Sequence, residues 1–197
     1  LYSEYLFDHP VPTLEETVQE FSQFQLVSAF QFAYQLWALP VGIWHVNESL
    51  SMIIHHIAVL FVSFFAGCFT NGFRYHIPFF FGMFEISSVP LVLMNMFRDN
   101  ASWQKRYPNL NQNIRVGFAI SFLLIRILMN VSRAIVYLRD LWFVFSSHSN
   151  VGYLVFMSFV FVSSLLLFGL QLWWGWLIAN GLLKLMIGKD DKKEKKS

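Results

Sequence analysis

The chain has 197 residues, of which 56% are hydrophobic, 19% aromatic and 13% charged, about half the roughly 25% charged fraction of soluble domains. Its 23 phenylalanines exceed what one core of this size can hide while so few charges solvate the outside, so a water-soluble globule is excluded and lipid must be part of the solvent. A single cysteine, Cys68, excludes an intrachain disulfide framework and a thiolate metal cluster. The net charge of +2, with basic residues scattered along the chain, excludes a nucleic-acid platform. The histidines at positions 9, 45, 55, 56, 76 and 148 lack the repeated HxxxH and HxxHH spacings of a membrane di-iron oxygenase, and no other metal set is expected.

The first twenty residues are acidic, with Glu4, Asp8, Glu15, Glu16 and Glu20 and no Lys or Arg. They read as a non-cytosolic segment, 1–20. Because the chain opens on Leu1 with such a segment, one or more upstream helices are expected to precede it. Residues 21–187 then form an all-α membrane bundle of five spans, each near the 17 to 25 apolar residues that cross hydrocarbon as a helix. These are Phe21 to Trp44, Leu50 to Phe69, Tyr75 to Phe97, Ile114 to Leu138 and Tyr153 to Ile187. The last is long, yet SFVFVSSLLLFG offers no turn, so it reads as one tilted helix emerging through Lys184. Residues 188–197 form a basic tail.

Lys and Arg between spans set the orientation. Arg98, Lys105, Arg106 and Arg115 on one connection, with Lys189, Lys192, Lys193, Lys195 and Lys196 on the tail, place both in the cytosol. The acceptor triplets Asn47-Glu48-Ser49 and Asn100-Ala101-Ser102 fall on that side and are expected to carry no glycan. The tail also fits a Lys-x-Lys-x-x retrieval pattern through Lys193 and Lys195.

Ionisable residues inside spans are costly, which makes each a candidate functional group. In the second span His55 and His56 lie about 8 to 9 Å from the cytosolic end at Leu50, and adjacent residues diverge by about 100°, so only one ring can face a central cavity. In the third, Glu85 precedes Ser87, Ser88 and the helix-bending Pro90. In the fourth, Arg126, Asn130 and Arg133 form one polar stripe at i, i+4, i+7. Glu85 and Arg126 each lie about 18 Å from a cytosolic helix end, which allows an ion pair between them. Each feature also has a bland reading: a structural clamp for Glu85 and Arg126, interhelical hydrogen bonds for the histidines, and helix packing for Gln171, Trp173 and Trp174. His45 and His76 read as interfacial.

The order of IIHHIAVL at His55-His56, FEISSVPL at Glu85, LLIRI at Arg126 and the closing LQLWWGWLIANGLLK resembles the TLC-domain family of multi-pass lipid proteins, which includes the ceramide synthases. The likeness runs from about Gln31 to Lys184. It implies a ring of helices around a lipid-accessible cavity, in the endoplasmic reticulum or another membrane. In ceramide synthases the paired histidines belong to an acyl-CoA site, which corresponds here to His55 and His56. Those enzymes carry His-Asp and a nearby second Asp where this chain reads Glu85-Ile86-Ser87-Ser88-Val89-Pro90, a form more similar to the smaller TLC-domain-containing proteins. Two functions therefore stay open. One is a lipid-homeostasis protein that binds or regulates phospholipids or sphingolipids, with Glu85, Ser88, Arg126, Asn130 and Arg133 lining its cavity. The other is an acyltransferase of ceramide-synthase type, with acyl-CoA as co-substrate and His55 or His56 as base or acyl acceptor. Cargo reception, known among relatives, leaves no mark in the sequence.

Overall fold

The computed structural model describes residues 22–65, 76–147 and 149–194, all of it helix and short connections with no strand. The acidic segment 1–20, Cys68, Arg74 and the last three residues of the basic tail lie outside the described residues. In chain order the helices are α1 (Ser22–Val41), α2 (Leu50–Phe64), α3 (Phe84–Asp99), α4 (Ala101–Arg106), α5 (Pro108–Ser121), α6 (Asn130–Ser147) and α7 (Val151–Glu194). Three wider π-helical stretches adjoin them: Gly42–Val46 ends α1, Pro78–Met83 leads into α3, and Phe122–Met129 joins α5 to α6. Such stretches are rare and favour functional sites.

Four helical stretches are long and apolar enough to span a membrane: Gln25–Val46, Pro78–Asp99, Pro108–Ser147 and Val151–Lys184. The chain is a polytopic helical membrane bundle. One span differs from the sequence expectation, and another, Leu50 to Phe69, is described only as far as Phe65. The described part of the second, Leu50–Phe64, has 15 residues, about 22 Å at 1.5 Å per residue. The fourth is not Ile114 to Leu138 but a 40-residue run from Pro108 to Ser147, about 60 Å long. Its start extends to Pro108 because proline at the first helical position gives up only an N–H that had no partner there. Its far end continues past Arg139 and Asp140 because those charges pair with each other, at 2.7 Å. The fifth is one uninterrupted helix, and Ser158 donates to the Leu154 carbonyl at 2.8 Å instead of starting a turn.

Large apolar side chains stand outward throughout the described residues, as on Phe30, Trp44 and Leu128, each at least 70% exposed. This is the surface lipid requires, since exposed apolar area on this scale marks a membrane-facing or partner-facing surface. Polar residues turn inward instead: Gln35, His56, Ser87, Asn130, Asp140 and Gln171 are all buried.

The chain folds as two compact units, residues 1–82 with 132–170, and residues 83–131 with 171–197. The first has a core of Phe65, Ile77, Tyr137, Leu141, Val144, Met157 and Val160. Stacked ring pairs line its α2 and α7 segments, Phe61 on Phe159 at 6.1 Å and Phe65 on Phe156 at 5.6 Å, a geometry worth about 0.5–1.5 kcal/mol beyond burial. In the second, Gln104 Nε2 donates to the carbonyls of Phe97 and Arg98 at 2.9 and 3.1 Å, tying α4 to the end of α3. Buried Gly175 of α7 lies against Ile127, so that a Cβ there would stand 2.7 Å from Ile127 Cγ1.

That approach predicts opposite signs for two substitutions in one helix. Gly175→Ala overpacks the seam and is expected to cost about 1–3 kcal/mol. Gly181→Ala meets nothing within 4 Å and is expected to stabilise by about 0.5–1 kcal/mol through helix propensity. Thermal unfolding of the purified variants in detergent checks both.

Candidate functional site

In the first unit the chain reverses between α1 and α2 over three residues. Asn47 takes the left-handed conformation at φ 52°, which Asn tolerates better than most residues, and the Asn47 and Glu48 amides both cap the Gly42 carbonyl, the latter at 3.0 Å. Ser49 is extended and its carbonyl accepts from Met52 and Ile53 at 2.9 and 3.1 Å, opening α2. The turn brings Glu48 back over the second turn of α2. There the buried His56 ring sits between two side chains: Nδ1 lies 2.6 Å from Gln35 Oε1 and Nε2 lies 3.2 Å from Glu48 Oε2.

The proton positions follow from the partners. An amide oxygen only accepts, so Nδ1 carries a hydrogen. Nε2 and the Glu48 carboxylate attract only if a further proton belongs to the pair, on the ring or on the carboxyl. The approach is at ion-pair distance without hydrogen-bond alignment, for Glu48 Oε2 has no aligned donor. Both ring nitrogens are thus engaged by protein. Gly42 makes room for this: the three nearest atoms to a Cβ there all belong to Glu48, with Oε2 at 2.7 Å.

His55 takes a different course. It is half-buried, its ring edge-on to His56 at a centroid distance of 5.6 Å and 67°. The divergence expected for adjacent helix positions is present, with one ring inward and the other nearer the surface. Ser63 bonds the Leu60 carbonyl at 3.1 Å.

A second polar cluster of this unit holds His76, whose Nε2 is 2.9 Å from Asp140 Oδ2, while Arg139 donates through Nε and Nη2 to Asp140 Oδ1 at 2.9 and 2.7 Å. His76 is buried within the protein, two residues before the span that opens at Pro78. Its ring also packs edge-on against Tyr137 at 5.2 Å, and the Tyr137 and Ser164 hydroxyls are 3.2 Å apart. Arg133 is buried in the same unit.

The second unit holds Glu85, Ser88, Arg126 and Asn130. Arg126, on the π-helical stretch, donates from Nε to Ser87 Oγ at 2.7 Å and from Nη2 to Ser88 Oγ at 2.9 Å and the Phe84 carbonyl at 3.2 Å. Ser87 in turn donates to the Phe84 carbonyl at 2.8 Å, so its single hydroxyl both gives and accepts. The guanidinium also lies over the Phe84 and Phe122 rings at 5.2 and 5.6 Å, a cation–π arrangement. The direct Glu85–Arg126 pair that equal depth allowed is not formed among the described residues: Glu85 is exposed and acts on Arg126 only through space. Depth fixes a level but not a rotation, and Ser87, two residues on, points about 200° away from Glu85.

Ser88 and Arg126 therefore meet, His55 and His56 are neighbours, and Glu85 stands aside. Gln35, Glu48, Ser87 and Asp140 went unassigned from sequence. The only signal for Gln35 was a lone amide in FAYQLWALP, and the acceptor triplet drew attention to Asn47 at the expense of Glu48.

A family model described as the TLC domain matches residues 2–180. No curated relative and no solved structure matches the chain.

Two cycles check this geometry by thermal unfolding. Gly42→Ala displaces the Glu48 carboxylate and is expected to destabilise the wild type, yet to be neutral or stabilising by up to about 1 kcal/mol in a Glu48→Ala background, where only helix propensity remains. Arg126→Leu and Ser87→Ala are expected to couple by about 1.5–3 kcal/mol, the size of a charge-assisted hydrogen bond, whereas Arg126→Leu and Glu85→Gln add almost independently. Strong Glu85 coupling would restore the direct pair.

Proposed function

This chain belongs to the TLC-domain family, and we propose that it is a membrane lipid-binding protein of lipid homeostasis, taking phospholipids or sphingolipids among its helices. The observation that carries this reading is the engagement of both His56 nitrogens, by Gln35 and Glu48. A general base or acyl acceptor needs one ring nitrogen within reach of the reacting atom. Here Glu48 would have to leave first. The Glu85-Ile86-Ser87-Ser88 sequence supports a place nearer the smaller members of the family than the ceramide synthases. The lysine-rich segment after Lys184 and the Arg98 to Arg115 connection support a cytosolic side for both.

A second reading rests on His55. Its ring is less buried than that of His56 and lies beside it, so an acyl-CoA-dependent acyltransfer in which His55 meets the substrate and His56 is its neighbour keeps a structural basis.

Purified wild type, His55→Ala and His56→Ala separate the two. We expect specific lipids to copurify with the wild type above their share of the source membrane, no transfer from labelled acyl-CoA to sphingoid bases or lysophospholipids, and a loss of stability in His56→Ala. Acyl transfer by the wild type that His55→Ala abolishes at unchanged stability would establish the enzyme instead.

A further inference from the structure

In the second unit Arg126 keeps its charge at 9% exposure with neutral direct partners. Of the five guanidinium N–H groups, those on Nε and Nη2 are used by Ser87, Ser88 and the Phe84 carbonyl. The Nη1 edge has no partner among the described residues. Buried cations are ordinarily paired with an anion, because neutral dipoles alone do not repay their desolvation.

Two more groups of this unit are incomplete. Asn130, one turn beyond Arg126, and Gln171 on α7 are 3% and 2% exposed, and the side-chain oxygens of both lack a donor among the described residues. Gly175 links them to one seam: it lies one turn from Gln171 and against Ile127, three residues before Asn130. Phe122 joins the cation to that seam, its ring lying 5.6 Å from the guanidinium and 4.0 Å from a Cβ placed on Gly175, so an unpartnered cationic edge and two buried acceptors without donors stand along one helix–helix seam. A buried carbonyl oxygen left without a donor costs stability that replacement by an apolar group would recover.

We propose that this seam is a headgroup site for an anionic phospholipid bearing hydroxyl donors, its phosphate taking the Nη1 edge of Arg126 and its hydroxyls donating to Asn130 and Gln171. The proposal rests on the lipid-binding reading and names the ligand chemistry. A lipid is favoured over a free anion by the apolar surface of the same unit, where Val89, Val92, Leu128, Trp173 and Trp176 stand exposed and acyl chains can lie. Glu85 is the rival negative charge: it is exposed, three residues before Ser88, and acts on Arg126 without touching it. A bound phosphate would feel its repulsion.

The test uses the purified full chain in detergent, with retention read by native mass spectrometry for phosphatidylglycerol and phosphatidylcholine of identical acyl chains, and inorganic phosphate as competitor. Phosphatidylglycerol is expected to be retained about tenfold more than phosphatidylcholine, the two differing in net charge and hydroxyl donors. Arg126→Gln is expected to abolish that preference, and Glu85→Gln to strengthen it severalfold. Asn130→Leu and Gln171→Leu are each expected to lower phosphatidylglycerol retention about fivefold, the size of one net hydrogen bond, while the lipid-free melting temperature holds or rises. The two leucine variants keep the test decisive should Arg126→Gln fail to fold. Equal retention of the two lipids by the wild type, or leucine variants that retain phosphatidylglycerol as the wild type does, would overturn the headgroup site alone. Displacement of phosphatidylglycerol by millimolar inorganic phosphate would overturn the lipid assignment in favour of a free anion. Retention of no lipid of any class would overturn the lipid-binding reading as well.

Discussion

Hydrocarbon offers no hydrogen bonds, so a polar side chain carried into it must take its partner from another part of the protein. That constraint organises this chain more than its core does. His56 finds Gln35 across the α1–α2 hairpin, His76 finds Asp140 from a residue 64 positions away, and Arg126 finds Ser87 and Ser88 on α3. Each of these contacts joins two different segments. A polar bond of this kind fixes register in a way that apolar packing against equally apolar lipid does not.

The local backbone serves the same end. The π-helical ending of α1, the left-handed Asn47 and the missing side chain of Gly42 together deliver Glu48 to His56. Residues 42 to 56 act as one assembly, in which a turn with no polar function of its own decides where a carboxylate stands. In the other unit the Ser87 hydroxyl relays between a cation and the Phe84 carbonyl, so the first turn of α3 is braced from outside by Arg126.

The spans were legible in the sequence because hydropathy over twenty residues is a sum, insensitive to which neighbour each residue meets. Their ends were not. Arg139 and Asp140 count as two charges against a span in the sequence, and in the fold they bond each other, so the helix continues to Ser147. The histidine pair, Ser88, Arg126 and Asn130 stood out because a polar residue in an apolar run is conspicuous. Their partners did not, since partnership depends on rotation about each helix axis as well as depth. Glu85 shows this in one residue: at the expected level it is turned away from the cation it was matched with, while the serines beside it make the contact. Gln35 was hidden because a single amide carries little signal, and Asp140 because beside Arg139 it read as the charged end of a span.

The run from Val151 to Lys184 has one further consequence. Its 34 residues measure about 51 Å, while the hydrocarbon of an ordinary bilayer is about 30 Å thick. No upright placement shelters that length, so the thickness of the surrounding membrane decides how much of it is covered by acyl chains and how much is left to lean or protrude. Thickness is itself set by the length and order of those chains. The composition of the membrane therefore enters the energy of this helix as a mechanical load, present whether or not any single lipid molecule is bound.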